Sequence, residues 1–177
     1  MVFYLTRVAE LPYPHTMGDR PRPDGRPFNG PLELTRLMRA GAPHPGQDGY
    51  RQLFSDPTIA GLRQACNVHA GDWAVVLPAV EAFLAPYPAT AHPLDIYHAR
   101  ENDPHITGLP DDDRRLARAV LNTIDPIKYF VNAHSRLESI GQHRICWART
   151  AGVSAVPVWF DASTVYPPRD AVLLQRG

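Results

Sequence analysis

The residues best suited to chemistry stand together at Gly141-Gln142-His143-Arg144, where a strand-like run over 136–140 gives way to a helical one over 142–151. A glycine at such a junction permits a sharp turn and lets the N–H groups of the first helical turn approach an anion. His143 and Arg144 fall in that first turn. Two side chains able to carry positive charge, backbone donors and the positive end of a helix dipole then converge on one small volume. The chemistry this favours is phosphate binding. Arg144 is the expected phosphate contact; the competing reading is a surface arginine paired with Glu138. His143, with an intrinsic pKa near about 6.5, acts as acid or as donor, and its competing role is a helix-start histidine bonded to backbone. Gln142 offers its backbone N–H.

Metal chemistry finds less support. Eight histidines are present, but none shows a His-x-x-x-His or other ligand spacing on a helix. Cys66 and Cys146 lie far apart and form no Cys-x-x-Cys pair, and in an intracellular chain they read as buried thiols. With 18 basic and 18 acidic residues the formal charge is zero, so nothing global advertises a nucleic-acid or membrane partner. No apolar run approaches the roughly 20 residues needed to cross a bilayer, and the first residues lack the apolar stretch of a secretion signal. A cytoplasmic protein is expected.

The elements that must position the turn are marked out by 19 prolines. Residues 1–11 hold a short strand, with Val2, Tyr4 and Val8 alternating. Residues 12–31 read as an irregular arm whose Arg20, Arg22 and Arg26 either touch phosphates or are simply solvated. Helical spacing follows over 32–38 and over 50–69, the latter broken near Pro57. Asp72 is the N-cap of a helix through Trp73, Val76, Val80, Phe83 and Leu84, with Pro78 kinking it or marking its first turn. Trp73 and Phe83 are core anchors.

The second half changes rhythm. Leu94-Asp95-Ile96-Tyr97-His98 alternates like a strand, and residues 100–110 form a polar loop. Asp111-Asp112-Asp113 opens a helix with its carboxylates at the positive end, and Leu116, Ala117, Val120 and Leu121 form its apolar face. Strands are expected over 126–131 and 136–140, with a turn at 132–135. The helix over 142–151 closes at Gly152 in a left-handed cap. Residues 156–160 form the last strand, and Trp147 and Trp159 pack. The order is strand, helix, strand, strand, helix, strand.

The run Ser139-Ile140-Gly141-Gln142-His143-Arg144-Ile145-Cys146-Trp147-Ala148-Arg149-Thr150-Ala151-Gly152-Val153, continuing to Val156-Pro157-Val158, resembles the ParB/sulfiredoxin superfamily. Members carry a Gly-x-[His/Arg]-Arg turn, an Ala-bearing helix, a glycine at its end and a Val-Pro strand. Leu94-Asp95-Ile96, the Asn102-Asp103-Pro104 loop, the helix over 111–121 and Pro126-Ile127 match the earlier elements in order and approximate spacing. The resemblance covers 92–162. It implies an α/β (α+β) fold, a small mixed sheet with helices, preceded by a mainly helical N-terminal extension. The corresponding segments are 1–90, 91–163 and a tail over 164–177.

What the resemblance implies is a nucleotide site serving one of several activities. Partition proteins bind and hydrolyse CTP while clamping DNA; sulfiredoxin uses ATP to repair a sulfinic acid; free-serine kinases move a phosphoryl group from ADP; some members are called nucleases. Gln142 stands where sulfiredoxin needs cysteine, and Cys146 comes one helical turn too late. Only about 15 residues follow Ala162, too few for the helix-turn-helix of a partition protein. The serine kinases share the Gly-x-His-Arg turn but place an acidic residue where this chain has Ile140. They also need one in the loop after the first strand, where Glu101 stands, with Asp103 as a second candidate.

The expectation is a nucleotide-dependent enzyme, a phosphotransferase (small-molecule kinase) or nucleotide hydrolase, taking ATP, ADP or CTP with Mg²⁺. Gly141, Gln142, His143 and Arg144 hold phosphate and Arg100 neutralises a second one. His143 and Glu101 or Asp103 supply acid–base chemistry, Glu101 accepting a proton from a small-molecule acceptor or else holding Mg²⁺. The other reading of Glu101 is a solvated loop charge. The alternative function is a ParB-like DNA-binding, nucleotide-switched clamp or nuclease. A homodimer is left open.

Overall fold

A computed structural model of the chain describes residues 2–8, 11, 20–21, 27–28, 71–131, 137–141, 144–145, 147–148, 151–161 and 165–177. The helices expected over 32–38 and 50–69 lie outside the described residues, as do Arg22, Arg26, Cys66 and Cys146. So do Gln142 and His143.

Seven strands appear among the described residues: β1 (Val2–Arg7), β2 (Arg20–Pro21), β3 (Pro27–Phe28), β4 (Lys128–Val131), β5 (Leu137–Ile140), β6 (Ala155–Phe160) and β7 (Val172–Leu173). Helices among the same residues include α1 (Trp73–Leu84), α2 (Pro93–Ala99), α3 (Pro104–Thr107) and α4 (Asp111–Val120). β2 and β3 form a two-residue antiparallel pair within the arm expected to be irregular. The other five strands make one mixed sheet in the order β5-β4-β6-β1-β7. The class is α+β.

The sheet draws on both ends of the chain. β1 runs antiparallel to β6 from Val2↔Phe160 to Arg7↔Ala155, and β7 pairs along its other side. The segments divided at 91 and 164 therefore contribute to one sheet. β4 is antiparallel to β5 and parallel to β6. Pro157 occupies the central strand without breaking it, for a geometric reason. Trp159 N donates to Ile127 O, so the N–H groups at this parity point toward β4. Pro157, two residues earlier, points the same way but stands before the β4 ladder begins, where no donor is needed.

Residues 94–98 are a helix, not a strand. Pro93 stands in the first helical turn, His92 Nδ1 accepts from Leu94 N at 3.3 Å, and Asp95 lies in the first turn. Proline's fixed φ, a capping side chain and an early carboxylate all favour helix over extension. The alternation of Leu94, Ile96 and His98 is coincidental, because Ile96 alone in α2 is buried. The polar loop over 100–110 also holds structure: Asp103 accepts from His105 N at 2.9 Å and caps α3. The strand next to β6 is instead supplied by β1, whose fully buried side chains are Phe3 and Thr6, while Val2 and Tyr4 are half-buried.

Other elements follow their sequence signals. Asp72 Oδ1 accepts from Ala74 N at 2.8 Å and starts α1 one residue before Trp73. Pro78 lies inside α1, which runs on to Leu84. Trp73, Val76, Val80, Phe83 and Leu84 enter one core with Leu116, Ala117 and Val120 of α4 and with Phe3, Ile127 and Val158 of the sheet layer. Trp147 and Trp159 are buried in the same core. Gly152, at φ +69°, closes the helical run after Gly141, and Val153 N donates to Ala148 O at 3.0 Å. That is the six-to-one bond of a Schellman cap.

Candidate functional site

The site is assembled at the C-terminal end of α4. Positions 113, 116, 117 and 120 recur at helical spacing and are all buried. The helix is thereby pinned lengthwise, and its last carbonyls need partners. Leu121 N donates to Ala117 O at 2.9 Å. Arg100 Nη1 donates to Arg118 O, and Arg144 Nη1 donates to Ala119 O at 2.6 Å. Two guanidiniums from distant segments thus meet successive carbonyls at the negative end of one helix dipole, a favourable place for cations. The structure in this way brings the 100–103 loop and the 141–144 turn, both singled out as candidate site segments, to one helix end.

Gly141 ends β5 at φ +93°. A Cβ there would stand 2.9 Å from Ile127 Cγ1 and 3.3 Å from Arg144 Nη2. Ile145 N donates to Gly141 O at 3.0 Å, so the helical turn begins directly on the glycine. The left-handed conformation and the close approach of Ile127 both call for glycine, as the sequence implied.

Arg144 is only 5% exposed. Besides the Ala119 carbonyl it meets Asp125, with Nη2 3.3 Å from Oδ2. Asp125 is a residue that sequence reasoning missed. It stands in the loop between α4 and β4, where Asn122 Oδ1 accepts from Ile124 N at 3.1 Å and Asp125 N at 3.2 Å. The Asn-x-x-Asp spacing of that side-chain turn was the available signal.

Arg100 is likewise buried. Its guanidinium carbon lies 4.0 Å from the centroid of the Tyr97 ring, and its Nε donates to Glu101 Oε1 at 3.2 Å. Glu101 Oε2 meets Arg118 Nη2 at 2.9 Å. Both oxygens of the Glu101 carboxylate are therefore held by arginine, and an acceptor hydroxyl would have to compete with one of them. Asp103 serves as the cap of α3. With Asp95 it adds negative charge near Tyr87, whose hydroxyl is held above its ordinary range first by burial and then by these two carboxylates.

The three aspartates opening α4 divide their work. Asp111 and Asp112 pair with Arg114 and Arg115 one turn on. Asp113 faces inward and accepts from Asp72 N at 2.6 Å, joining the start of α1 to α4. Gly71, at φ +108°, approaches so closely that its Cβ would stand 2.9 Å from Asp112 O. Trp147 Nε1 donates to Gly71 O at 3.2 Å, tying the helical run behind Arg144 into the same corner.

Among the described residues no group of three or more His, Cys, Asp or Glu side chains is placed to hold a metal ion. Of the described carboxylates here, Glu101 and Asp125 are each engaged by arginine. No helix among the described residues is long and apolar enough to cross a membrane. Comparison with protein-family models, curated proteins and solved structures finds no match.

Proposed function

We propose that this chain is a nucleotide-dependent enzyme with a ParB/sulfiredoxin-like fold, a phosphotransferase or nucleotide hydrolase that grips phosphates at Gly141-Gln142-His143-Arg144. One observation carries the reading. A left-handed glycine ends a sheet strand and opens a helical turn, and a buried guanidinium lies against it, 3.3 Å from where a Cβ would stand. A fixed cation beside a glycine turn that opens a helical run is an arrangement that favours a polyanion.

Further support comes from the order of elements after α4. A β4–β5 hairpin, a helical run closed by Gly152 and a Val156-Pro157-Val158 strand parallel to β4 follow the pattern that the resemblance implies. The 100–103 loop reaches the same helix end. In this reading the helix-start N–H groups and His143 contact phosphate, and Arg144 orients the turn while presenting Nη2 to the ligand. Glu101 is the candidate base, released from Arg118 when an acceptor hydroxyl binds. A bound Mg²⁺ would neutralise phosphate charge.

The test is thermal unfolding of the full chain with ATP, ADP, CTP or GTP, each with Mg²⁺. A ligand bound only by the folded state, present at about 100 times its Kd, stabilises by about 2.7 kcal/mol and raises Tm. His143→Ala should weaken that nucleotide by about tenfold, the loss of roughly one charge-assisted hydrogen bond. Absence of a shift with all four nucleotides overturns the proposal.

A further inference from the structure

The helix α2 is started by an imidazole. Serine, threonine, aspartate and asparagine are the usual N-caps, and their side-chain oxygens accept at any ordinary pH. Here His92, in extended backbone at φ −70° and ψ 133°, takes that place, and its Nδ1 accepts from Leu94 N at 3.3 Å. Pro93 brings no N–H, and Asp95 N donates to His92 O at 3.0 Å. The Leu94 N–H has no other acceptor among the described residues, so the ring satisfies the one donor of the first turn that needs a side chain.

Only the neutral ring can do this. A protonated imidazole carries hydrogen on both nitrogens, so Nδ1 loses the lone pair that Leu94 uses. The new charge also stands at the positive end of the helix dipole. His92 is exposed, so protons reach it freely, and imidazole is the side chain that ordinarily changes charge between about pH 5 and 8. The helix has little else to hold it: it is seven residues long and buries Ile96 alone. Helices shorter than about 12 residues are marginal in water without packing or caps. Its far end leads directly into Arg100 and Glu101, which reach the end of α4.

The charged groups around α2 among the described residues do not restore the lost acceptor. Asp95, in the same first turn, draws a proton toward the ring, and His98, in the last turn, is charged where the dipole favours it. On the connection from α1, burial and the carboxylates of Asp103 and Asp95 keep the Tyr87 hydroxyl protonated, and Arg176 N reaches Ala85 O. The loop after α4 donates from Thr123 Oγ1 to Pro93 O at 2.9 Å, and its Asp125 is paired with Arg144. We infer that His92 is a proton-sensitive cap: neutral, it starts α2, and protonated, it loosens the first turn of the helix that leads into Arg100 and Glu101. The switch needs no ligand at the Gly141 turn and is independent of the phosphate reading.

The experiment is amide hydrogen exchange followed by NMR at about pH 7.5 and about pH 5, on either side of the imidazole range, with each rate divided by that of unprotected backbone at the same pH. It uses the full chain as wild type, His92→Asn, His92→Ala and His98→Gln. Asparagine caps a helix well and does not titrate. In the wild type, protection of the Leu94 and Asp95 amides should fall about threefold to tenfold from the higher pH to the lower, the scale of a lost N-cap. His92→Asn should keep its protection at both pH values, His92→Ala should lack it at both, and His98→Gln should behave as wild type. If His92→Ala fails to fold, His92→Asn decides. Equal wild-type protection at the two pH values overturns the switch, as does a fall that His92→Asn shares. A fall that His98→Gln abolishes also overturns it, because the sensor is then the other histidine of α2.

Discussion

A methyl group on Gly141 would stand 2.9 Å from Ile127 Cγ1 on a backbone at φ +93°, two penalties at one position. Gly141→Ala should therefore destabilise the fold by about 1–3 kcal/mol, read as a lower urea midpoint at unchanged slope. The contrast with Gly152 is informative, because its φ is +69° but nothing lies within 4 Å of a Cβ there. Only conformational strain opposes a substitution at Gly152. Arg144 shows how residue type can be read correctly while its surroundings are not. A guanidinium beside a turn glycine was legible, but its contacts with a helix end and with Asp125 come from residues 25 and 19 positions away.

At the scale of elements, α1 carries an avoidable defect. Pro78 lies five residues inside the helix and is exposed, so it removes the N–H that would bond to Ala74 O and fills no place in the core. Pro78→Ala should stabilise the protein by about 1–2 kcal/mol, the helix gain being partly offset by a more flexible unfolded chain, and raise Tm in a thermal melt. Helices with strong local signals were legible: Asp72 before an apolar stripe, and 113-116-117-120 in α4. That same spacing marks Asp113 as inward-facing, a signal outweighed by reading the three aspartates together as end charges. The helix α2 was misread because five residues with one buried side chain fit period two as well as period 3.6. Pro93 and His92 decided the matter.

Across the whole molecule, the two chain ends meet. Gln175 is fully buried; its Oε1 accepts from Phe3 N at 2.8 Å and its Nε2 donates to Pro88 O at 3.0 Å. Arg176 N and Gly177 N then donate to Ala85 O and Tyr87 O, finishing the end of α1. One amide side chain thus joins β1 to the turn after α1, across 172 and 87 residues of sequence. Gln175→Ala leaves the buried Phe3 N–H without its acceptor and should cost about 1–3 kcal/mol, measured by chemical denaturation. A change below about 0.5 kcal/mol would mean that the tail does not close the sheet in solution.

The amino-acid order by itself determined what depends on near neighbours. It specified the Asp72 cap, the apolar stripe of α4, the glycine-ended helical run after β5 and the strands around 128–131, 137–140 and 155–160. Each is governed by φ preference, capping or periodicity within a few residues. Tertiary structure alone decided that β1 would lie between β6 and β7, that Arg100 and Arg144 would meet adjacent carbonyls of α4, and that Asp125 would face the turn. These depend on which surfaces pack together, and pairing between distant segments leaves no periodic trace in either one.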